Sequence, residues 1–320
     1  GRPARVSAAS GCRAVAARAQ PEETHVSFEV SANHTIDFAG VVSMRLQQRG
    51  SNLRRAVVES KFEGKAAKAV DQVGPVTAQK RVSRHADTPL ISTPHSARWI
   101  YPTDYEWADL IDHQDKLRTI NEPTNAYVEN GSNALGRAMD DEIIAAFFGI
   151  ARTGENGEDQ TPFDAAGQTV AADVGGTGAT GLNVAKLRAA KRILMANEVD
   201  VDYDPLFCAI TARQHDDLLA ETQAVSLDFN SRPVLVDGRI SAFMGFNFIP
   251  IERLGLDGSG YRRLPVWAKS GMHLGIWDDI EGKVTERDDK SYATQVYVRG
   301  TFGATRTEEG KVVEIKCAES

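Results

Sequence analysis

The sequence predicts a mixed α+β protein, and three stretches of different character carry that prediction. Residues 124–149 place apolar or small side chains three and four positions apart, which indicates one long helix. Residues 54–98 are basic, poor in large apolar side chains and alternate in places at strand period. Residues 198–278 alternate apolar strand-like segments with helical ones, which is typical of an α/β unit built around a sheet.

The long helix is predicted to begin after Pro123 and to end at Phe148, before Gly149. Its 25 residues correspond to roughly 37 Å at about 1.5 Å per residue, so we expect it to act as a strut. Gly131 and Gly136 each cost about 1 kcal/mol relative to Ala in such a helix, and they indicate a close packing approach or a bend. The residues predicted to face the core are Leu135, Met139, Ile143 and Phe147.

The composition is that of a soluble globular protein. With 320 residues and 42% hydrophobic content, the chain can form one large domain or two ordinary ones. Its net charge of -7 argues against a protein that coats nucleic acid with its whole surface. Cys12, Cys208 and Cys317 have no C-x-x-C spacing, so neither a disulfide framework nor a zinc site is indicated, and a reducing, intracellular origin is expected. No apolar run is long enough to span a bilayer, and no secretory signal is evident.

The N-terminal residues differ in composition from the rest of the chain. Residues 1–20 contain four arginines and no acidic residue, a composition like that of a transit peptide. They also lack an apolar periodic face, so residues 1–25 are predicted to be a disordered arm or an extension outside the fold. Residues 26–53 are predicted to form an ordered arm that leads into the protein.

Residues 54–98 carry nine basic and four acidic residues, giving +5, while the rest of the chain sums to -12. Turn formers at Gly64 and at Gly74-Pro75 interrupt the strand-like alternation. Such a segment cannot build its own core, so it is predicted to be a long hairpin that lies on nucleic acid or on an acidic surface of a partner. The cations proposed as contacts between subunits are Arg54, Arg55, Lys61, Lys65, Lys68, Lys80, Arg81 and Arg84.

Acidic residues cluster in two places that could receive this basic hairpin. The block at residues 104–118, DYEWADLIDHQDKLR, has acidic residues three or four apart, which favours a helix, and a second cluster lies on the long helix. We expect these clusters to support self-association. A solvated charged face is the alternative. The acidic contact candidates are Asp104, Glu106, Asp109, Asp112, Asp140, Asp141 and Glu142.

The second half of the chain is predicted to supply the sheet core. A helix capped by Asn183 runs to about Asn197, and Thr211 caps another helix that extends through Leu219. Predicted strands cover residues 206–211, 246–251 and 266–277. Near the C-terminus, two alternating segments around residues 292–298 and 312–315 are predicted to add strands on either side of a charged turn.

No catalytic, cofactor-binding or metal site is predicted. Residues 176–181 match G-x-G-x-x-G formally, but no buried strand runs directly into the first glycine, so a hairpin or flexible loop is expected. The acidic run from Asp200 fails as a calcium loop because Pro205 stands where Gly is required. His215 is predicted to be exposed on a polar helix face rather than a metal ligand. The sequence therefore does not indicate an enzyme.

Five long stretches resemble one protein family. They are GPVTAQKRVSRHADTPLISTPHSARW (residues 74–99), DYEWADLIDHQDKLR (104–118), GRAMDDEIIAAFFG (136–149), MGFNFIPIERL (244–254) and ERDDKSYATQVYVRGTFGATRTEEGKVVEIKC (286–317). In these stretches the chain is similar to the major capsid proteins of tailed bacteriophages with the Hong Kong 97 fold, from about residue 28 to residue 317.

The resemblance implies a domain arrangement. Residues 54–98 would be the extended loop that reaches over a neighbouring subunit, and residues 124–149 the spine helix. Residues 99–197 and 279–320 would form the peripheral domain, and residues 198–278 the α/β axial domain. The chain would assemble as hexamers and pentamers into the icosahedral shell that encloses double-stranded DNA. It would form in the host bacterial cytoplasm and end in the virion.

The resemblance also suggests partners and leaves alternatives open. Packaged DNA would contact the inner face without sequence specificity, and portal, scaffolding or decoration proteins are further possible partners. No membrane partner is expected. Some relatives crosslink a loop lysine to an asparagine of another subunit, but no such pair is identified here, so Lys61, Lys65 and Lys68 are expected to act electrostatically. An encapsulin-like shell around an enzyme cargo is one alternative, and an enzyme using the loop at residues 176–181 is another.

Overall fold

The computed structural model of the chain describes residues 45–81, 83–84, 90–112, 124–221, 235–236 and 239–319. The predicted extension at residues 1–25 and residues 26–44 of the arm predicted at 26–53 therefore lie outside the described residues. None of the described helices is long and apolar enough to cross a membrane. The three described helices, numbered in chain order, are α1 (Thr124–Phe148), α2 (Val184–Ala196) and α3 (Ala212–Ala220).

The described strands belong to four sheets. They are β1 (Val58–Lys61), β2 (Ala67–Val73), β3 (His95–Ile100), β4 (Thr103–Ile111), β5 (Ala151–Thr153), β6 (Asp159–Thr161), β7 (Thr169–Val170), β8 (Leu206–Ile210), β9 (Leu235–Val236), β10 (Arg239–Ile240), β11 (Ala242–Phe243), β12 (Phe246–Pro250), β13 (Arg262–Ala268), β14 (Met272–Arg287), β15 (Ala293–Arg306) and β16 (Val312–Cys317). The mixed α+β class predicted from the sequence is confirmed.

A four-stranded sheet in the order β1-β14-β15-β4 carries α1 on one face. β14 and β15 form a long antiparallel hairpin, and β4 pairs antiparallel with β15. A Cβ built on Gly131 of α1 would lie 2.5 Å from the Trp107 ring, so this glycine allows the helix to pack closely on the sheet. A Cβ on Gly136 would lie 2.6 Å from the backbone of Gly50. Both helix glycines therefore mark close approaches, as the sequence suggested.

A six-stranded sheet in the order β11-β12-β8-β13-β16-β7 lies between helices. On one face the ring of Phe147, near the end of α1, lies 4.6 Å from the Trp267 ring of β13. On the other face, Lys186 of α2 reaches the backbone of Lys316 and the thiol of Cys317 in β16. Residues predicted to be buried on α1 are at most 3% exposed: Leu135, Met139, Ile143 and Phe147.

The two remaining sheets are small. A four-stranded sheet has the order β2-β3-β5-β6, and its β2 and β3 are the two arms of a hairpin. β9 and β10 form a two-stranded sheet.

Local capping predictions are met. The Asn183 side chain accepts a hydrogen bond from the amide of Lys186 at the start of α2, and the Thr211 amide donates to the Gln214 side chain at the start of α3. The predicted strands at residues 206–211 and 246–251 correspond to β8 and β12.

The helical interpretation of residues 104–112 is wrong. These residues form the strand β4 and end with Asp112, so Asp104 and Glu106 alternate with the half-buried Tyr105 and Trp107. The spacing of the acidic residues is compatible with a helix and with a strand. The aromatic residues at every second position favour a strand, and pairing with β15 stabilises it. The rest of the predicted segment, residues 113–118, lies outside the described residues.

Three other expectations differ from the structure. The strand predicted at residues 266–277 is divided by a 3₁₀ turn at Lys269–Gly271 into β13 and β14, which belong to different sheets. Residues 279–320 likewise contribute β15 to the four-stranded sheet with β14 and β16 to the six-stranded sheet.

Residues 54–61, which were predicted to belong to the extended loop, enter the core. Their strand β1 pairs with β14, and the Trp267 indole donates a hydrogen bond to the Ala56 carbonyl.

Candidate assembly surface

The β2–β3 hairpin is closed at its base and extends beyond the core. The Gly74 amide donates to the Pro94 carbonyl at 2.8 Å, and register pairs Val73 with His95. Between these positions the described side chains are largely exposed, and Leu90 is 99% exposed. We call residues 62–94 the extended loop. Its exposed aliphatic and cationic side chains have few contacts within the described chain, as expected for a segment that docks elsewhere.

Most of the predicted cations lie exposed on or beside this loop. Lys68 lies 3.6 Å from Asp71 and has its Nζ 5.5 Å from the centre of the Trp99 ring. Arg55 is exposed and, with Lys269, lines a cavity of about 690 Å³. The other exposed cations pair with no carboxylate among the described residues: Lys61, Lys65, Lys80, Arg81 and Arg84.

Arg54 has its partners within its own chain. Its Nε lies 2.7 Å from Glu59, and its two terminal nitrogens donate to the carboxylate of Asp279 at 3.0 and 3.1 Å. These hydrogen bonds, first to Asp279 and then to Glu59, raise the pKa of Arg54, and the same arginine lowers the pKa of Asp279. Arg54 therefore fixes β1 against β14, and it is not a free contact for another subunit.

Asp140 clamps the chain that leads into the loop. It is fully buried, and its carboxylate accepts hydrogen bonds from the amides of Asn52 at 3.0 Å and Leu53 at 3.1 Å. The side chains of Gln48 and Ser51 donate to the same carboxylate. The proposal of Asp140 as a surface contact is thus corrected, because the chain itself uses all of this carboxylate. The neighbouring candidates also have internal partners: Asp141 pairs with Arg253 and Glu142 accepts from Tyr105.

A buried charge cluster ties the second arm of the loop to the end of α1. Arg306 is fully buried, and its guanidinium donates to the carbonyls of Phe147 at 2.8 Å and Gly149 at 3.1 Å. It thereby satisfies carbonyls that the helix end leaves without partners and places a cation at the negative end of the helix dipole. Glu309 lies 3.6 Å from Arg306 and 2.6 Å from Arg98 of β3. Burial lowers the pKa of Arg306. Sequence reasoning missed this cluster.

The first arm of the loop is held by aromatic contacts. The Phe62 ring lies 5.8 Å from His273 and 5.6 Å from Trp277, over Gly275, and the Phe62 amide donates to the Ile276 carbonyl at 2.9 Å. His273 is buried, its Nε2 has no hydrogen-bond partner among the described residues, and burial lowers its pKa. Both arms of the loop are therefore fixed at their base.

The face of the four-stranded sheet opposite α1 carries acidic side chains on its edge strand β4. We call it the outer sheet face, and on β4 it presents Asp104 and Glu106. Hydroxyl groups of β15 donate to both carboxylates: Thr301 to Asp104 at 2.7 Å and Tyr297 to Glu106 at 3.1 Å. Arg299 of β15 instead pairs with β14, since its Nε lies 3.1 Å from Asp278. Asp104 and Glu106 thus have no cationic partner among the described residues.

The loop at residues 176–181 has an internal structural role. It follows β7, which has only two residues and lies at a sheet edge, so the strand that a dinucleotide fingerprint requires is not present there. The loop instead packs against α2: the buried Nζ of Lys186 donates to the Thr180 carbonyl at 2.7 Å. His215 is half-buried, and its Nε2 accepts from the Ile240 amide. Among the described residues, no group of His, Cys, Asp and Glu side chains could hold a metal ion.

Solved capsid structures have a similar architecture. No curated protein sequence matches the chain significantly. The capsid of cyanophage P-SCSP1u is similar in structure, with a TM-score of 0.67, 16% identity, and coverage of 89% of this chain and 93% of that chain. The cyanophage Pam1 capsid gives 0.66 at 13% identity, covering 92% and 99%, and the capsid of a native GTA particle gives 0.62 at 13%, covering 92% and 100%. These likenesses show a shared fold. A family model described as phage capsid protein matches residues 30–319, and the chain therefore belongs to that family.

Proposed function

We propose that this chain is the major capsid protein of a tailed phage and that it assembles as hexamers and pentamers into an icosahedral shell around double-stranded DNA. Membership of the phage capsid protein family carries the proposal. The extended loop supports it, because a closed shell needs contacts between different surfaces of neighbouring copies. The proposed place of the protein is the virion, after assembly in the host bacterial cytoplasm.

The surfaces that meet are proposed to be the extended loop of one copy and the outer sheet face of the next. Lys80 and Arg81 are exposed, and neither pairs with a carboxylate among the described residues, although Arg81 donates to the carbonyls of Ser83 and Arg84. Asp104 and Glu106 are exposed carboxylates without a cationic partner there. Complementary charges of this kind direct association and fix its register. The exposed aliphatic side chains of the loop, such as Leu90, would add a contact that salt does not screen.

The domain assignment is also part of the proposal. Residues 198–278 would form the axial domain at the centre of each capsomer, and residues 99–197 with 279–320 the peripheral domain. β16 pairs with β13, so the C-terminal strand would belong to the axial sheet although its residues fall in the peripheral range. The fully buried Arg306 and the clamp at Asp140 would hold the loop in a fixed direction relative to both.

Charge reversal tests the proposed contact. The pair Lys80→Glu and Arg81→Glu, or the pair Asp104→Lys and Glu106→Lys, should each prevent shell formation, because like charges then face each other across the interface. The chain that carries all four changes should form shells again. Circular dichroism controls for folding, and sedimentation measures assembly. Shells from both single-pair variants would remove this contact from the proposal.

A deletion separates assembly from folding. Replacing residues 75–93 with a short Gly/Ser linker keeps β1, β2 and β3, so the core contacts of Ala56 and Arg98 remain. We expect a folded chain that forms isolated capsomers and no shells. Normal-sized shells from this variant would show that the loop is dispensable.

The contents of the particles distinguish a phage shell from an encapsulin-like compartment. Electron microscopy of the purified protein should show closed shells, and particles from an infected host should contain nuclease-protected DNA. An enzyme cargo without DNA would favour the encapsulin-like alternative. Portal, scaffolding and decoration proteins would appear as additional bands in the same particles.

A further inference from the structure

The buried charges at the base of the extended loop do not balance. Arg98 of β3 is 6% exposed and Arg306 of β15 is fully buried. Glu309 is the only carboxylate that pairs with either guanidinium among the described residues, at 2.6 Å from Arg98 and 3.6 Å from Arg306. Two buried cations therefore share one carboxylate, and the cluster carries an excess positive charge.

The two guanidinium groups are close enough to repel each other. Burial is the main cause of the lowered pKa of Arg306; Glu309 opposes this shift, and the positive charge of Arg98 adds to it. An arginine stays protonated even under such conditions. The excess charge is therefore a permanent feature of the cluster, and loss of a proton does not remove it.

The hydrogen bonds of the cluster are also incomplete. Arg98 makes a single side-chain hydrogen bond, from its Nη2 to Glu309. Its Nε and Nη1 are buried and have no partner among the described residues, and the same is true of Nε of Arg306 and Oε1 of Glu309, which lie 3.6 Å apart. Buried donors in folded proteins are normally satisfied. An acceptor is therefore missing beside Arg98.

A further donor lies on the same face of the sheet as Arg98. Thr153 of β5 is the register partner of Arg98, so the two side chains are cross-strand neighbours. The Oγ1 of Thr153 lies 3.2 Å from the Oγ1 of Thr161 in β6. In such a pair one hydroxyl donates to the other, and the second hydroxyl hydrogen is available to another acceptor. Both N–H and O–H donors therefore surround the missing acceptor.

We propose that a small inorganic anion, chloride in the cell, binds in this cluster beside the guanidinium of Arg98. An anion accepts from the unpartnered N–H groups and also neutralises the excess charge. Water accepts the same hydrogen bonds but leaves an unbalanced charge in the core, which is costly. A carboxylate of a second chain or a phosphate of a polymer does not reach a group that is so deeply buried.

The site goes beyond the proposed function, because it does not depend on the formation of shells. Arg98 belongs to the second arm of the extended loop, and Arg306 donates to the carbonyls of Phe147 and Gly149 at the end of α1. A bound anion would therefore connect the base of the loop to the end of the long helix.

Urea denaturation of the full, unassembled chain tests the proposal. Circular dichroism follows unfolding over a series of chloride concentrations, and sodium gluconate, whose anion is too large for the site, keeps the ionic strength constant. If unfolding releases one anion, the unfolding constant should fall about tenfold for each tenfold rise in chloride above its dissociation constant. The slope of log unfolding constant against log chloride should then be about -1.

Three variants locate the effect. Arg98→Met removes the excess charge and leaves Arg306 with Glu309, so its slope should be about zero. Glu309→Gln increases the excess charge, so stabilisation should begin at a lower chloride concentration than in wild type. Arg262→Met is the matched control, because Arg262 is a partly buried arginine that pairs one-to-one with Glu319. Its slope should stay near the wild-type value.

A wild-type slope of about zero would overturn the proposal and would mean that water satisfies the cluster. A wild-type slope that persists in Arg98→Met would overturn it too, since chloride would then act elsewhere. Crystals grown in bromide give a direct reading: an anomalous peak within hydrogen-bond distance of Arg98 is expected, and peaks confined to the protein surface would contradict the site.

Discussion

Asp140→Ala tests the clamp between α1 and the chain that enters the extended loop. The carboxylate is fully buried and accepts from the backbone amides of Asn52 and Leu53 and from two side chains. A buried donor that loses its acceptor costs about 1–3 kcal/mol. The Leu53 amide is buried, whereas the other donors are only partly buried and can regain water. The Leu53 amide then costs about 1–3 kcal/mol and each of the three other hydrogen bonds about 0.5–1.5 kcal/mol, so we expect the free energy of unfolding to fall by about 3–7 kcal/mol.

Asp141→Ala is the matched control, since it is the adjacent residue and loses the same chemical group. The Asp141 carboxylate is 46% exposed and pairs with Arg253, and an exposed pair contributes about 0–1 kcal/mol. Urea denaturation of the unassembled chain, followed by circular dichroism, measures both variants. Limited proteolysis should also cut Asp140→Ala faster than wild type within residues 45–53. Equal losses of stability in the two variants would refute the clamp.

Three further predictions concern the packing of the core. Phe147→Ala should lower the free energy of unfolding by about 3–5 kcal/mol because it leaves a cavity in the core. Ile150 is exposed, so Ile150→Ala should melt like wild type; equal melting temperatures of the two variants would show that Phe147 is not in the core. Gly131→Ala should lower the melting temperature although Ala favours a helix by about 1 kcal/mol, since its Cβ would lie 2.5 Å from the Trp107 ring; a raised melting temperature would contradict that contact. Burial lowers the pKa of His273 below its unfolded value of about 6.5, so the unfolded chain takes up the proton first and stability should fall as the pH drops below that value. In denaturation series at several pH values, His273→Gln should show a weaker dependence, and an unchanged one would mean that other groups are responsible.

The sequence predicted the elements whose signals are local. Asn183 and Thr211 predict the starts of their helices, because a capping side chain interacts with backbone amides only two or three residues away. The long helix was predicted to its last residue because its apolar stripe, its start signal and the closing glycine agree. The two interior glycines predict a close approach or a bend; the structure shows close approaches, to Trp107 and to Gly50, and these distant partners are not visible in the sequence.

The sequence misled where one pattern fits two structures. Acidic residues at 104, 106, 109 and 112 are compatible with a helix and with a strand, and pairing with β15 decided for the strand. The apolar run at residues 266–277 has the pattern of a single strand. Its periodicity does not indicate that the chain passes from one sheet to another at Lys269. Segments 54–61 and 62–94 are both basic, yet only the first contains a strand that pairs with β14.

By itself the sequence determined the fold class, the long helix with its buried stripe, the capped helices, and a basic segment without a core of its own. The tertiary structure decided which charges are free. Asp140 lies on the buried stripe of α1 between Gly136 and Ile143, which was a usable signal, but its donors are 87 to 92 residues away. Arg306 likewise finds its acceptors about 160 residues away, at the end of α1. A charged side chain is stable in the core only where distant backbone groups converge on it, and that convergence is a property of the folded chain.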